Sequence, residues 1–375
     1  VGANVELGWD HTWSAAGTVD GTFYGAPLMA SVKSFVWYSP QAFSKAGYEI
    51  PTTWDDVVAL TDRIAADHPK GDVTPWCLGM ADGGTTGWSM TDWLEETLLA
   101  TSGISAYDAW AGHDVALDSP SAVNALGSVD SLLMRGGHVS GGRQGALSTT
   151  MEQAGQRLVD GSCLMMLASS SFETMLPAGT TITDPKGRGE GGASGSPTAG
   201  GGATGGGTTT GGEPVENDSA ASDATTGGGT TTSAGPATSV SAFIFPGAAD
   251  EDGNPPVLVG GDYLVSLNRA NGTSAAANAV MEYLTSAEWA QQRAELGGVA
   301  TANRGVDVSE VSSDVTVRAT RILQSRQSVI RLDASDSMPS QVGTRALWAA
   351  LTSWTAGELD SRKALAQAEE AWPDE

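Results

Sequence analysis

Short runs of apolar, β-prone residues alternate along the chain with longer stretches in which apolar positions return every three or four residues. Phe35-Val36-Trp37-Tyr38 predicts a short buried strand. After Pro51-Thr52-Thr53, the residues Trp54, Val57, Thr61 and Ile64 recur at helical spacing, with Thr53 as N-cap and Asp56 at the third helical position. That helix stops at His68-Pro69. Further helices are predicted over 93–100, 121–134 and 340–356, and another is opened by a capping box of Thr285 and Glu288 and closed by Gly297-Gly298. Buried strands are predicted over 161–167, 240–246 and 256–265. Strands alternating with helices imply an α/β protein whose mixed or parallel sheets are covered on their faces.

Composition changes the picture in one segment. From about 185 to 238 the chain is Gly, Thr, Ser and Ala with almost nothing to anchor a core, so a disordered insert is expected there. Loop-closure entropy grows only logarithmically with length, so a surface loop can carry it. The remainder is long enough for two lobes, at 375 residues with 40% hydrophobic content. A formal net charge of -25 and a pI near 4.3 repel phosphate backbones and anionic headgroups, which argues against nucleic acid and passive membrane binding. No apolar run approaches the roughly 20 residues that span a bilayer. The chain starts at Val1 without an initiator methionine, so any signal peptide or lipid-anchor cysteine is expected to lie outside it. Spacing alone leaves Cys77 and Cys163 open as one disulfide or two buried thiols.

Three motifs in order then carry a resemblance. Val19-Asp20-Gly21-Thr22-Phe23-Tyr24-Gly25-Ala26-Pro27, Val36-Trp37-Tyr38 and Ala46-Gly47-Tyr48-Glu49-Ile50-Pro51-Thr52-Thr53-Trp54-Asp55 resemble the family-1 extracellular solute-binding proteins of sugar ABC transporters. Pro75-Trp76-Cys77-Leu78-Gly79, Thr86-Gly87-Trp88-Ser89-Met90-Thr91-Asp92-Trp93-Leu94-Glu95, Gly260-Gly261-Asp262 and Asp333-Ala334-Ser335-Asp336-Ser337-Met338-Pro339 are similar to its α-glucoside-binding, maltose-binding-protein-like branch, which also has a cysteine near Cys163. The resemblance implies a two-lobe periplasmic-binding-protein fold of type II with the first lobe incomplete. Residues 1–35 would end the first visit to lobe 1, 36–256 would form lobe 2 around the insert, 257–330 would return to lobe 1, and 331–375 would supply the hinge and carboxy-terminal helices on lobe 2. It implies an oligosaccharide ligand, ABC permease subunits as partners and an extracellular or periplasmic location, with membrane attachment only through a lipid anchor outside the chain. Export would place Cys77 and Cys163 in an oxidising compartment, and each stands at a predicted strand end, so a disulfide between them is expected.

A neutral sugar shows hydroxyls at its edge and C–H patches on its faces, so its site needs aromatic plates ringed by carboxylate or amide groups. Trp88, Asp92, Trp93 and Glu95 supply both within eight residues, and by resemblance that segment lines the sugar site. Trp88 is expected on a loop before a helix opened by Asp92, with Trp93 packing beneath as the alternative to stacking. Trp348 stands where such proteins place a second stacking aromatic; burial with Leu351 is the competing reading. Asp262 would aim into the cleft from a glycine turn or else cap it. Asp336 is expected as hinge and ligand contact, and Ser31 and Lys33 on the crossover are weaker candidates. Asp333 with Asp336, or Asp92 with Glu95, also has the paired carboxylates of a glycoside hydrolase or transglycosidase, which is the rival function. No cofactor or metal is expected: His11, His68, His113 and His138 lack zinc-site spacing, and no lysine follows Gly83-Gly84-Thr85-Thr86-Gly87 as a nucleotide loop would require. A surface adhesin with the Gly/Thr-rich stretch as stalk is a third reading, weakened because the stretch is internal.

Overall fold

The computed structural model describes residues 1–183, 239–251, 253–267 and 274–373. The low-complexity segment expected to be disordered lies outside the described residues. Eight strands carry the fold: β1 (Gly25–Val32), β2 (Phe35–Tyr38), β3 (Thr74–Trp76), β4 (Cys163–Leu167), β5 (Thr181–Ile182), β6 (Ser239–Ile244), β7 (Pro256–Val265) and β8 (Val329–Leu332). A two-residue ribbon pairs Thr18–Val19 with Thr22–Phe23. The helices that position the site are α1 (Trp54–Asp67), α2 (Trp88–Ser102), α3 (Pro120–Leu133), α4 (Trp348–Ala356) and α5 (Ser361–Glu369).

The strands form two mixed sheets. One has the order β8-β7-β1, with β1 antiparallel and β8 parallel to β7. The other has the order β3-β4-β2-β6-β5, in which β2 runs antiparallel to both neighbours. Side chains alternate across the second sheet as the pleat requires. Val36 and Tyr38 pack on one face with Trp76, Trp93 and Phe243, while Phe35 and Trp37 face a second core with Val257, Val259 and Val315. The chain passes between the sheets at Lys33-Ser34 and between β6 and β7 and leaves β8 at Asp333, and α4 and α5 pack through Trp354 and Leu365 into the core that holds Val36 and Tyr38.

Local chemistry explains most element ends. Thr53 and Asp56 close a capping box on α1, and Val57, Thr61 and Ile64 are its buried stripe. Cys77, just past β3, is bonded to Cys163 at the start of β4, with Cα atoms 5.3 Å apart. Two predicted elements differ. The helix starting at Ala287 is capped by Ser286, whose hydroxyl accepts from the Trp289 amide; the Thr285 hydroxyl turns back to the Met281 carbonyl of the preceding helix. The helix predicted over 340–356 begins with a π-helical stretch, Val342–Leu347, before α4. Gly343 explains its tight approach, since a Cβ there would stand 1.9 Å from the Ser335 carbonyl oxygen.

Candidate ligand-binding cleft

The crossovers meet in a buried polar hub. Ser34, fully buried, donates its hydroxyl to Glu96 (2.6 Å) and accepts from the Leu258 amide (2.7 Å). Lys33 lies close against β7: a Cβ on Gly260 would sit 2.7 Å from Lys33 Cε, so a larger residue there would displace the lysine side chain. The Lys33 ammonium reaches Asp92 at 3.0 Å, pairs closely with Asp333, and stands 3.8 Å from Asp336. Glu95 accepts from Tyr107 Oη (2.6 Å) and from the amides of Ala334 (2.8 Å) and Ser335 (3.1 Å), fastening α2 to the third crossover.

Burial governs the charges here. It pushes Asp92 up to about 7 against the pull of Lys33, and Glu96 up to about 8 against the hydrogen bond from Ser34. It raises Glu95 well above the carboxylate range, with repulsion from Asp333 adding to it. Asp333 is also deeply buried, but Lys33 and the bonds from Ser335 and the Asp336 amide outweigh burial and hold it low. Burial opposes the charge on Lys33, yet Asp92, Asp333 and Asp336 together raise it well above its usual value. Asp336 is raised by burial and by repulsion from Asp333.

Beside the hub opens a cleft of about 290 Å3 lined by Ser31, Lys33, Trp88, Asp262 and Asp336. Its far wall includes Ser169, Ser171 and Phe172. The Trp88 indole N–H donates to Asp82 Oδ2 at 3.0 Å, which fixes the ring at the mouth while leaving it partly exposed. Asp336 presents a carboxylate whose side chain is 54% exposed, the most open acid of the hub. A rigid aromatic plate, hydroxyls and two open carboxylates are a chemistry suited to a hydroxyl-rich, uncharged ligand.

The remaining candidates require correction. Trp93 is 1% exposed and packs edge-on against Trp76, with ring centroids 4.9 Å apart, so it is core. Glu95 is fully buried and its oxygens are taken by backbone and Tyr107, which leaves it no surface for a ligand. Asp92 lies beneath the cleft, bonded to Lys33, and does not open a helix: α2 begins at Trp88, and Asp92 is in its second turn. Gly87 permits that start, with φ of +111° and a close pass by the Trp348 carbonyl, 2.4 Å from where a Cβ would be. Trp348 is not on the cleft wall; it is partly buried at the start of α4, and its indole N–H makes no hydrogen bond. Gly260-Gly261-Asp262 form no turn but run through the middle of β7, where a Cβ on Gly261 would meet the Met29 carbonyl at 2.4 Å. Asp262 still faces the cleft, from a strand. Ser169, Ser171 and Phe172 went unrecognised in the sequence; the available signal was a serine run directly after a buried strand, where α/β proteins commonly bind ligands. Among the described residues no group of three His, Cys, Asp or Glu side chains is placed to hold a metal ion.

Residues 3–291 match the family described as bacterial extracellular solute-binding protein. The chain belongs to that family. The osmoprotective compounds-binding protein GgtB of Synechocystis sp. is 30% identical over 97% of this chain and 72% of its own length. The alpha-glucosides-binding periplasmic protein AglE of Rhizobium meliloti is 34% identical over 44% of this chain and 36% of its own length. Among solved structures, a chitin oligosaccharide binding protein superposes with a TM-score of 0.66 at 16% identity, covering 98% of this chain and 74% of that one. Maltose-bound MalE3 of T. maritima gives 0.59 at 14% identity, over 98% and 77%. These similarities give this solute-binding protein the α/β, two-lobe fold. Among the described residues no helix is long and apolar enough to cross a membrane.

Proposed function

We propose that this solute-binding protein captures an oligosaccharide, an α-glucoside, in the cleft beside the crossovers and presents it to an ABC import permease. The reading is carried by one observation: Trp88 shares a single cleft with Asp262, Asp336, Ser31 and Lys33. The indole stacks on a sugar face, Asp262 and Asp336 accept from hydroxyls, and Ser31 and Ser169 supply adaptable bonds. Lys33 is neutralised by the carboxylates around it, so the cleft offers no free cation for an anionic ligand. AglE, by name an α-glucoside binder, supports that ligand class, and the family supports an extracellular protein. Closure of the lobes about the crossovers would report occupancy to the permease subunits.

The rival function, glycoside hydrolysis, needs two carboxylates flanking one bond. Asp333 is 2% exposed and paired with Lys33, and Glu95 is sealed, so neither proposed pair presents two free carboxylates. That geometry favours the binding reading over hydrolysis by either pair. Incubating the protein with maltose, trehalose and sucrose tests it. Binding heat for at least one sugar, with every sugar recovered intact by chromatography, is expected; consumption of sugar would establish the hydrolase instead.

A further inference from the structure

A second cavity, of about 470 Å3, lies outside the crossover cleft, between α1 and α3 on the second lobe. Trp54, Val58, Thr61 and Asp62 fall on one side of α1 at spacings of three, four and eight residues, and Val123, Asn124, Gly127, Ser128 and Ser131 fall on one side of α3. Its lining mixes apolar residues (Trp54, Val58, Val123, Leu132) with polar ones, and its volume is within the roughly 300–1,000 Å3 of small-molecule pockets. At one end the Trp54 ring is tilted against Phe245, with centroids 6.1 Å apart, and remains partly open. At the other end Asp62 pairs with Arg135 at 2.9 Å and stands 3.6 Å from His138 Nε2, beyond hydrogen-bond reach.

Two residues of the lining bear on what the cavity could hold. His138 is only 4% exposed; its Nδ1 donates to the Leu132 carbonyl at 2.6 Å, and its Nε2 stands 3.6 Å from Asp62 Oδ1 beside the cavity that both residues line. Gly127 sits inside a helix, where glycine costs about 1 kcal/mol relative to alanine. A Cβ there would meet nothing within 4 Å, so no close approach demands the glycine. Its missing side chain leaves open space at the cavity wall.

We propose that this cavity is a second binding site, for a small, uncharged, hydroxyl-rich ligand of the mono- or disaccharide class. Trp54 is the stacking plate, and the Asp62–Arg135 pair, His138 Nε2 and Asn124 take the hydroxyls. The amide and carboxylate rim offers both donors and acceptors, as a sugar edge requires, whereas a bound peptide segment would need a continuous apolar or strand-like groove.

The site is tested with the full chain by following tryptophan indole N–H resonances, assigned with Trp54→Phe and Trp88→Phe, as maltose or trehalose is titrated to tens of millimolar. The Trp54 signal should move in the wild-type protein and equally in Trp88→Ala, which disables only the crossover cleft. It should lose at least tenfold in apparent affinity in Gly127→Phe, a variant that places a large side chain at the cavity wall from a helical position where a Cβ meets nothing within 4 Å. A Trp54 signal that stays fixed for both sugars overturns the second site whatever Trp88 does, and so does one that moves unchanged in Gly127→Phe. The behaviour of Trp88 in the same spectra reports on the crossover cleft separately. Saturation of the Trp54 shift only by a permease fragment, and not by sugar, would likewise overturn the proposal in favour of a docking groove.

Discussion

Replacing Lys33 by methionine removes the ammonium that holds the crossovers' carboxylates together while keeping most of the side-chain volume. The three acids it contacts do not suffer equally. Asp92 already stands at about 7 because burial opposes its charge, so at neutral pH it answers the loss by keeping a proton. Asp336 is half open to water. Asp333 is different: its side chain is 1% exposed, and Lys33 is the main reason it stays low. Deleting one partner of a buried pair costs about 3–5 kcal/mol. Most of that loss is assigned to Asp333. Below the pH at which Asp333 takes up a proton, the uncompensated charge disappears, so the gap between wild type and Lys33→Met should narrow as pH falls from 7 toward 4. Urea unfolding followed by tryptophan fluorescence at both pH values measures it. Lys33→Met/Asp333→Asn should recover more than half of the single variant's loss, because the stranded charge is gone. A Lys33→Met protein within about 0.5 kcal/mol of wild type at pH 7, or a double variant no better than the sum of the two singles, would refute the reasoning.

Two further outcomes follow from the same geometry. Glu96 and Asp92 have folded values raised by burial to about 8 and about 7, above the roughly 4 of an unfolded chain, so their contribution is fully present below pH 4 and is lost as pH rises through 7–8. Urea midpoints should therefore fall between pH 5 and 9 and flatten in Glu96→Gln; an unchanged slope in that variant would remove Glu96 from the account. The disulfide between Cys77 and Cys163 spans 86 residues, so in the chain-entropy description its loss in Cys77→Ser/Cys163→Ser should cost on the order of 4–5 kcal/mol. Thiol titration of denatured, unreduced protein should find no free thiol, and two per chain would contradict the bond.

Those parts of the fold governed by local chemistry were legible in the sequence. The capping box of Thr53 and Asp56 marks the start of α1, and the apolar runs at Phe35–Tyr38 and Pro256–Val265 mark strands that the structure contains. Trp88 was expected in the cleft through the family resemblance, from a loop before a helix opened by Asp92; it lines the cleft from the first position of α2. The segment behind it was misread for a physical reason. Every residue from Ser89 to Leu99 is buried, so α2 has no wet face, and its acids imitate a surface or a site. Asp92, Glu95 and Glu96 are instead satisfied by Lys33, by Tyr107 with two backbone amides, and by Ser34, partners that lie between 12 and 240 residues away and that spacing cannot reveal. Gly260-Gly261 imitated a turn for a similar reason. The glycines serve close approach by Lys33 and by the Met29 carbonyl, a tertiary demand placed on a strand.

The central claim, an oligosaccharide held against Trp88 in the crossover cleft, is tested most directly by titration calorimetry of maltose and trehalose into wild type, Trp88→Ala and Trp348→Ala. Loss of a stacking indole should cost about 1–3 kcal/mol, or roughly 5- to 150-fold in Kd. Trp348, off the cleft wall, should leave Kd within about twofold, given that 1.4 kcal/mol is a factor of ten. Wild-type affinity retained in Trp88→Ala would contradict the account.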